Sequence, residues 1–160
     1  MTVRAAIAFL LLGSAPPLAH AQSTLKTADR TAAFQAAGFK LVGKQWRSCD
    51  DPGSMSYTPG QIDAVRDLTG DGLPEAIISE GSTACFGMTG TGFALVSKQA
   101  NGKWKSVVSE TGIPTFLATK GTGGWPDIEV GGPGFCFPVL RWNGKNYVFN
   151  RRQYEGKACR

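Results

Sequence analysis

The sequence predicts a mainly β fold: two blade-like antiparallel β-repeats of about four strands each, packed together, with one short N-terminal helix. Three observations predict it. Twenty-one glycines and nine prolines punctuate short apolar runs, the pattern of strands separated by turns. Two connections are Asn-Gly, at Asn101-Gly102 and Asn143-Gly144, the strongest short hairpin signal a sequence carries. The second half of the chain also repeats the first. Setting Pro74 on Pro126 aligns DGLPEAII with GGWPDIEV, the Cys-Phe at Cys85 meets that at Cys136, and ANGKWKSV meets WNGKNYVF, the self-similarity of a repeated unit.

Residues 1–21 read as a signal peptide: Arg4, then the apolar run AAIAFLLLGSA, then Ala19-His20-Ala21 as a small-x-small cleavage site. The run is shorter than the roughly 20 residues that span a bilayer, and no cysteine stands at the cleavage point for lipid attachment. The expected product is a single β-rich domain, residues 22–160, periplasmic or secreted, with no membrane insertion after cleavage. DRTAAFQAAGF offers Asp29 as an N-cap and Gly38 as a stop for the one helix. Strands follow at FKLVGKQW, IDAVRDL, EAIISE, GFALVSKQ, KWKSVVSE, TFLATK, DIEV, FPVLRW and NYVFNRR. Repeat one covers about 62–110 and repeat two about 113–152. The first carries an extra glycine-rich loop, Phe86 to Gly92.

Cleavage also removes His20, the single histidine of the 160 residues. A mature chain without imidazole lacks the usual general base near neutral pH and the commonest nitrogen ligand of transition metals. Its 16 basic and 12 acidic side chains leave about +4, scattered as on a solvated surface, so nucleic acid is not an expected partner. The four cysteines, Cys49, Cys85, Cys136 and Cys159, form an even set in an exported chain and read as two disulfides. Three connectivities are open on paper. Spacing favours Cys49 with Cys85 and Cys136 with Cys159, the second bond pinning the chain terminus.

The stretch Val65 to Gly81, VRDLTGDGLPEAIISEG, is the sharpest functional signal. Counting Asp67 as position 1 places Thr69 at 3, Asp71 at 5, Gly72 at 6, the Leu73 carbonyl at 7 and Glu75 at 9, the ligand order of a calcium loop. Calcium takes six to eight oxygens, and carboxylates brought together without a cation repel. The other reading is a metal-free hairpin with an Asp-Gly turn. Asp67 to Glu75 resembles the calcium loops of FG-GAP repeats in integrin-type propellers and their bacterial relatives, D-x-[DN]-x-[DN]-G-x-x-[DE]; the likeness extends loosely from about Ile62 to Arg152. It implies one structural calcium as cofactor. Thr69 stands where that pattern has Asp or Asn, which lowers the expected affinity. In repeat two Thr119, Gly121 and Gly123 replace the first three ligand positions and Asp127 alone survives, so one site is expected.

Repeat two carries aromatics instead: Trp125, Phe135, Phe137 and Trp142 among glycines form a candidate ligand surface, or else fill a small core. An enzyme is not expected. Glu80 with Glu129 or Asp127 could be posed as a glycosidase pair, but no spacing selects them, and no G-x-S-x-G is present. The leading expectation is a non-catalytic exported calcium-binding module that contacts an envelope protein or glycan. The alternative is a periplasmic inhibitor or immunity protein of a peptidoglycan hydrolase.

Overall fold

Helix α1 (Thr27–Ala36) starts two residues before the expected cap. Lys26 occupies the cap position with no side-chain hydrogen bond. The Asp29 carboxylate instead leaves the helix, accepting from Lys98 Nζ at 2.9 Å and Trp104 Nε1 at 3.0 Å. Gly38, at φ +86°, stops the helix, a conformation without steric cost only for glycine. The computed structural model describes residues 25–159; the proposed signal peptide, with His20, lies outside the described residues.

Strands then follow one another across two antiparallel sheets. Sheet one holds β1 (Lys40–Val42), β2 (Gln45–Arg47), β3 (Thr58–Arg66), β4 (Glu75–Gly81), β5 (Thr91–Lys98) and β6 (Trp104–Thr111), in that spatial order. Sheet two holds β7 (Ile113–Lys120), β8 (Pro126–Gly131), β9 (Phe137–Trp142), β10 (Tyr147–Tyr154) and β11 (Lys157–Ala158), again in chain order. The class is mainly β, as expected, with six and five strands in place of about four each. FKLVGKQW is a hairpin, not one strand, because Gly43 turns it at φ +62°, and the chain end adds β11. Both Asn-Gly dipeptides sit at hairpin turns, between β5 and β6 and between β9 and β10. A short helix α2 (Thr83–Phe86) leads into the extra loop of repeat one, which forms a 3-10 turn (Gly87–Thr89) before β5.

Side-chain alternation along the strands divides the interior into two layers. Ala76, Ile78 and Val96 pack with Ala33, Phe34 and Phe39 under α1. Ile77, Phe93 and Leu95 point the other way and pack with Ile128 and Val130 of sheet two. Sheet one is therefore central, buried on both faces at β4 and β5. The repeat alignment equates Ala76 and Ile78 with Ile128 and Val130. The face that sheet two turns to sheet one is thus the face that sheet one turns to α1, and the two copies stack head to tail.

Two disulfides, Cys49–Cys85 and Cys136–Cys159, each lie within one half of the chain. The segment from Ser48 to Tyr57 is further tied to sheet one by Glu80, 2% exposed. That carboxylate accepts from the Ser48 N–H and hydroxyl, the Cys49 N–H and the Tyr57 hydroxyl. Asp51 does the same from within the segment, accepting from Ser82 Oγ, Gly53 N and Ser54 N. The Ser82 hydroxyl, with the N–H groups behind it, holds its carboxyl well below the usual range.

Candidate metal centre

The segment Asp67 to Glu75 is the turn from β3 to β4, and its sequence closes it locally. Asp67 accepts from the Gly70 N–H at 2.7 Å and the Gly72 N–H at 2.9 Å, while Asp71 accepts from the Leu73 N–H at 2.8 Å. Gly70 and Gly72 both take positive φ, +85° and +83°. Burial opposes ionisation of Asp67, but the Gly72 and Gly70 N–H groups outweigh it and hold the carboxyl below its ordinary value. Among the described residues no three acidic, cysteine or histidine side chains are grouped tightly enough to hold a metal ion as placed. The aspartates are turned to backbone donors instead.

Glu75 differs from them. It is 1% exposed and shares the face of Ile77, at the end of the inter-sheet layer. Its partners are neutral: the Leu68 N–H at 2.7 Å and the hydroxyl of Ser97, its cross-strand neighbour, at 2.8 Å. Burial raises its pKa, and the charges of Asp71 and Asp67 push in the same direction. In the same turn, Thr69 Oγ1 is buried without a hydrogen-bond partner among the described residues, a defect that costs roughly 1–3 kcal/mol when unrelieved. The donor set is entirely oxygen, and a hard cation would relieve both defects.

The counterpart in repeat two shows how the same position is served without a metal. Asp127, aligned with Glu75, is fully buried. It lies opposite Arg141 in the register that pairs Ile128 with Leu140. Arg141 donates from Nε and Nη2 to its two oxygens, at 2.9 and 2.8 Å. Arg151 adds Nη1 at 2.9 Å and Thr119 a hydroxyl at 2.6 Å. These donors, Arg141 first, hold the Asp127 carboxyl far below the usual carboxylate range against the opposing effect of burial. Two guanidinium groups occupy the electrostatic role that repeat one leaves unfilled. The turns of the two copies also touch: a Cβ at Gly124 (φ +80°) would stand 2.8 Å from the Thr69 carbonyl oxygen.

The depressed Asp127 pKa carries a signed prediction. A carboxyl lowered by folding contributes stability that is complete above the unfolded value near 3.9 and is lost as pH falls through the folded value. Asp127→Asn should cost about 1–3 kcal/mol, toward the lower figure because both arginines are part-exposed. Urea midpoints for mutant and wild type should stay equally separated from pH 7 to 5 and converge only below about pH 4.

The proposed aromatic surface divides. Trp125 packs against the inter-sheet core and forms a half-buried cluster with Trp142 and Tyr147, ring centroids 5.3 and 6.2 Å away. Phe135 is 76% exposed and meets Tyr154 at 5.2 Å, with Phe137 at 6.1 Å from the same ring. Trp125 is therefore a flank of the core and Trp142 its half-buried neighbour, while Phe135 and Phe137 stand at the open end of β9. Glu80 and Asp127, posed as a carboxylate pair, are each saturated by their own donors, and Glu129 accepts from Gln153 at 2.6 Å. Arg141, Arg151 and Thr119 were not selected by sequence reasoning. Their signal was the basic pair facing Asp127 across β9 and β10, visible only once strand register is known. No family model matches the chain, and neither a curated protein nor a solved structure matches it.

Proposed function

We propose that this protein is a non-catalytic, calcium-braced binding module of the cell envelope, of FG-GAP type, whose role is to contact an envelope glycan or protein. The observation that carries the calcium reading is the contrast between Glu75 and Asp127. Both are buried at equivalent positions; Asp127 is ion-paired with two guanidinium groups, whereas Glu75 has no ion pair among the described residues, although Arg66 stands opposite it on β3. Asp67, Thr69, Asp71, the Leu73 carbonyl and Glu75 would hold the ion, and its chemistry there is charge neutralisation of a buried carboxylate. The oxidised cysteine pairs fit an oxidising compartment, periplasmic or secreted. Among the described residues no helix is long and apolar enough to cross a membrane.

Calcium should raise the melting temperature and chelator should lower it, by mass action worth about 2.7 kcal/mol at 100 times the dissociation constant. Asp71→Ala should abolish that dependence, and Asp127→Ala should keep it. Glu75→Gln separates the terms further. In chelator a carboxyl with a raised pKa gives up stability as pH rises through that value, so Glu75→Gln should equal or exceed wild type at pH 7. In calcium it should fall below wild type. Melting curves indifferent to millimolar calcium in wild type and Asp71→Ala alike would leave a plain hairpin.

One observation favours the hydrolase-inhibitor reading as a second. Met88, 90% exposed, stands in the 3-10 turn just past Cys85, on a segment stapled by Cys49–Cys85. A rigid, projecting apolar tip suits insertion into an enzyme cleft. An inhibitor slows lysozyme digestion of cell walls and loses that effect in Met88→Glu; a glycan binder sediments with the walls instead.

A further inference from the structure

The face of sheet two turned away from sheet one combines charged groups with an aromatic ring. Strand alternation places Asp127 and Glu129 of β8, Phe137, Val139 and Arg141 of β9, and Arg151 and Gln153 of β10 on it. Val139 is fully buried and forms the floor. Arg141 and Arg151 stand at one end, their side chains 38% and 30% exposed. Both bind Asp127, and the network runs on from Arg151 through Gln153 to Glu129, one step toward Phe137; at the Arg141 end two guanidinium groups meet one carboxylate, and Arg141 Nη1 makes no hydrogen bond among those the described residues provide. Phe137 lies on the same strand face about 13 Å away, four residues along at the usual strand rise, beside Tyr154 and exposed Phe135.

The charge balance of the chain favours the same half, although the outer face itself balances Arg141 and Arg151 with Asp127 and Glu129. Residues 25–112 contain nine basic and nine acidic side chains, whereas residues 113–159 contain six basic and three acidic. All of the positive excess of the described chain belongs to sheet two. An anion approaching the protein is drawn to that half.

We propose that this outer face binds an acidic oligosaccharide, with a carboxylate of the glycan on the Arg141–Arg151 pair and a sugar ring against Phe137. Guanidinium groups receive carboxylates through paired N–H donors, and an aromatic ring receives the apolar face of a saccharide. The combination on one strand favours a charged sugar over an acidic peptide, which needs no ring platform. The proposal deepens the binding-module reading and rests on it, but not on calcium: Glu75 points into the layer between the sheets whereas Arg141 and Arg151 stand on the opposite, outer face of sheet two, and calcium-dependent melting tests that site separately.

The test compares two tetrasaccharides by calorimetry on the oxidised full-length mature protein: an N-acetylglucosamine homo-oligomer, and the N-acetylglucosamine–N-acetylmuramic acid alternating oligomer, which adds lactyl carboxylates to the same type of ring. The acidic oligomer should bind about tenfold or more tightly than the neutral one, and its affinity should fall as salt rises from 50 to 300 mM. Phe137→Ala should weaken it without changing the salt dependence. Arg141→Gln should remove the preference for the acidic oligomer; an unchanged calcium-dependent melt shows that this variant is folded, and the salt series on wild type stands if it is not. Equal affinity for both oligomers, or no binding of the acidic one at millimolar concentration, overturns the proposal. Binding of poly-glutamate as tight as that of the acidic oligomer, and indifferent to Phe137→Ala, overturns it in favour of an acidic protein partner.

Discussion

Phe34→Ala is expected to lower stability by about 3–5 kcal/mol, the range for emptying a fully buried aromatic site, and to drop the melting temperature by roughly 10 to 20 °C. Phe34 has no exposed surface. It stacks on Trp46 at 4.7 Å and meets Phe39 edge-on at 5.5 Å, so one ring joins α1 to the β1–β2 hairpin and to the face of β4 and β5. Neighbours held by a helix, a hairpin and a sheet at once have little freedom to collapse into the void. Phe149→Ala provides the contrast: Phe149 is 59% exposed, and its removal should cost within about 0.5 kcal/mol. Urea unfolding followed by tryptophan fluorescence measures both. A loss under 1 kcal/mol at Phe34 would mean that α1 is not part of the cooperative unit.

Removing the Cys49–Cys85 bond by paired serine substitution should cost about 4 kcal/mol, the chain-entropy value for a loop of 36 residues. The bond from Cys136 to Cys159 closes 23 residues and should cost about 3 kcal/mol. The first figure faces a structural competitor. The segment it closes is also held by the hydrogen bonds of Glu80 and Asp51, which persist without the disulfide. Denaturant midpoints of the two double mutants decide the matter: a loss below about 1 kcal/mol for Cys49→Ser/Cys85→Ser would show that those polar contacts alone hold the segment in the unfolded ensemble as in the native one.

Much of the architecture was legible because it is written in local chemistry. Glycine and Asn-Gly turns mark hairpins irrespective of what the strands pack against, and the repeat shows that the chain builds one unit twice. Asp29 was misread because a carboxylate near a helix start has an ordinary use as a cap, whereas its partners here, Lys98 and Trp104, are about 70 residues away. Strand count was low at the edges, where three-residue strands such as β1 and β2 carry no periodicity to detect. The turn at Asp67 is legible as a pattern because its ligand order is sequential. The contrast that gives it meaning is not: that Glu75 faces Ser97 while Asp127 faces Arg141 is a property of register between strands. Likewise, tryptophans 125 and 142 could not be assigned to core or surface until the faces of β8 and β9 were known.

Head-to-tail stacking has no natural end. Copies related by two-fold symmetry satisfy each other, but copies that present the same face in the same direction leave one unmatched surface at each end of the stack, and such contacts propagate unless something stops them. Repeat arrays meet this with terminal units of altered outer surface. Here α1 closes one end by supplying Ala33 and Phe34 where a preceding sheet would stand. At the other end Arg141 and Arg151, clamped on Asp127, make the outer face of sheet two too polar to receive another sheet. A chain in which those arginines became leucines would open one end only: two such faces could cover each other as a closed pair, while α1 at the opposite end still blocks growth into a filament.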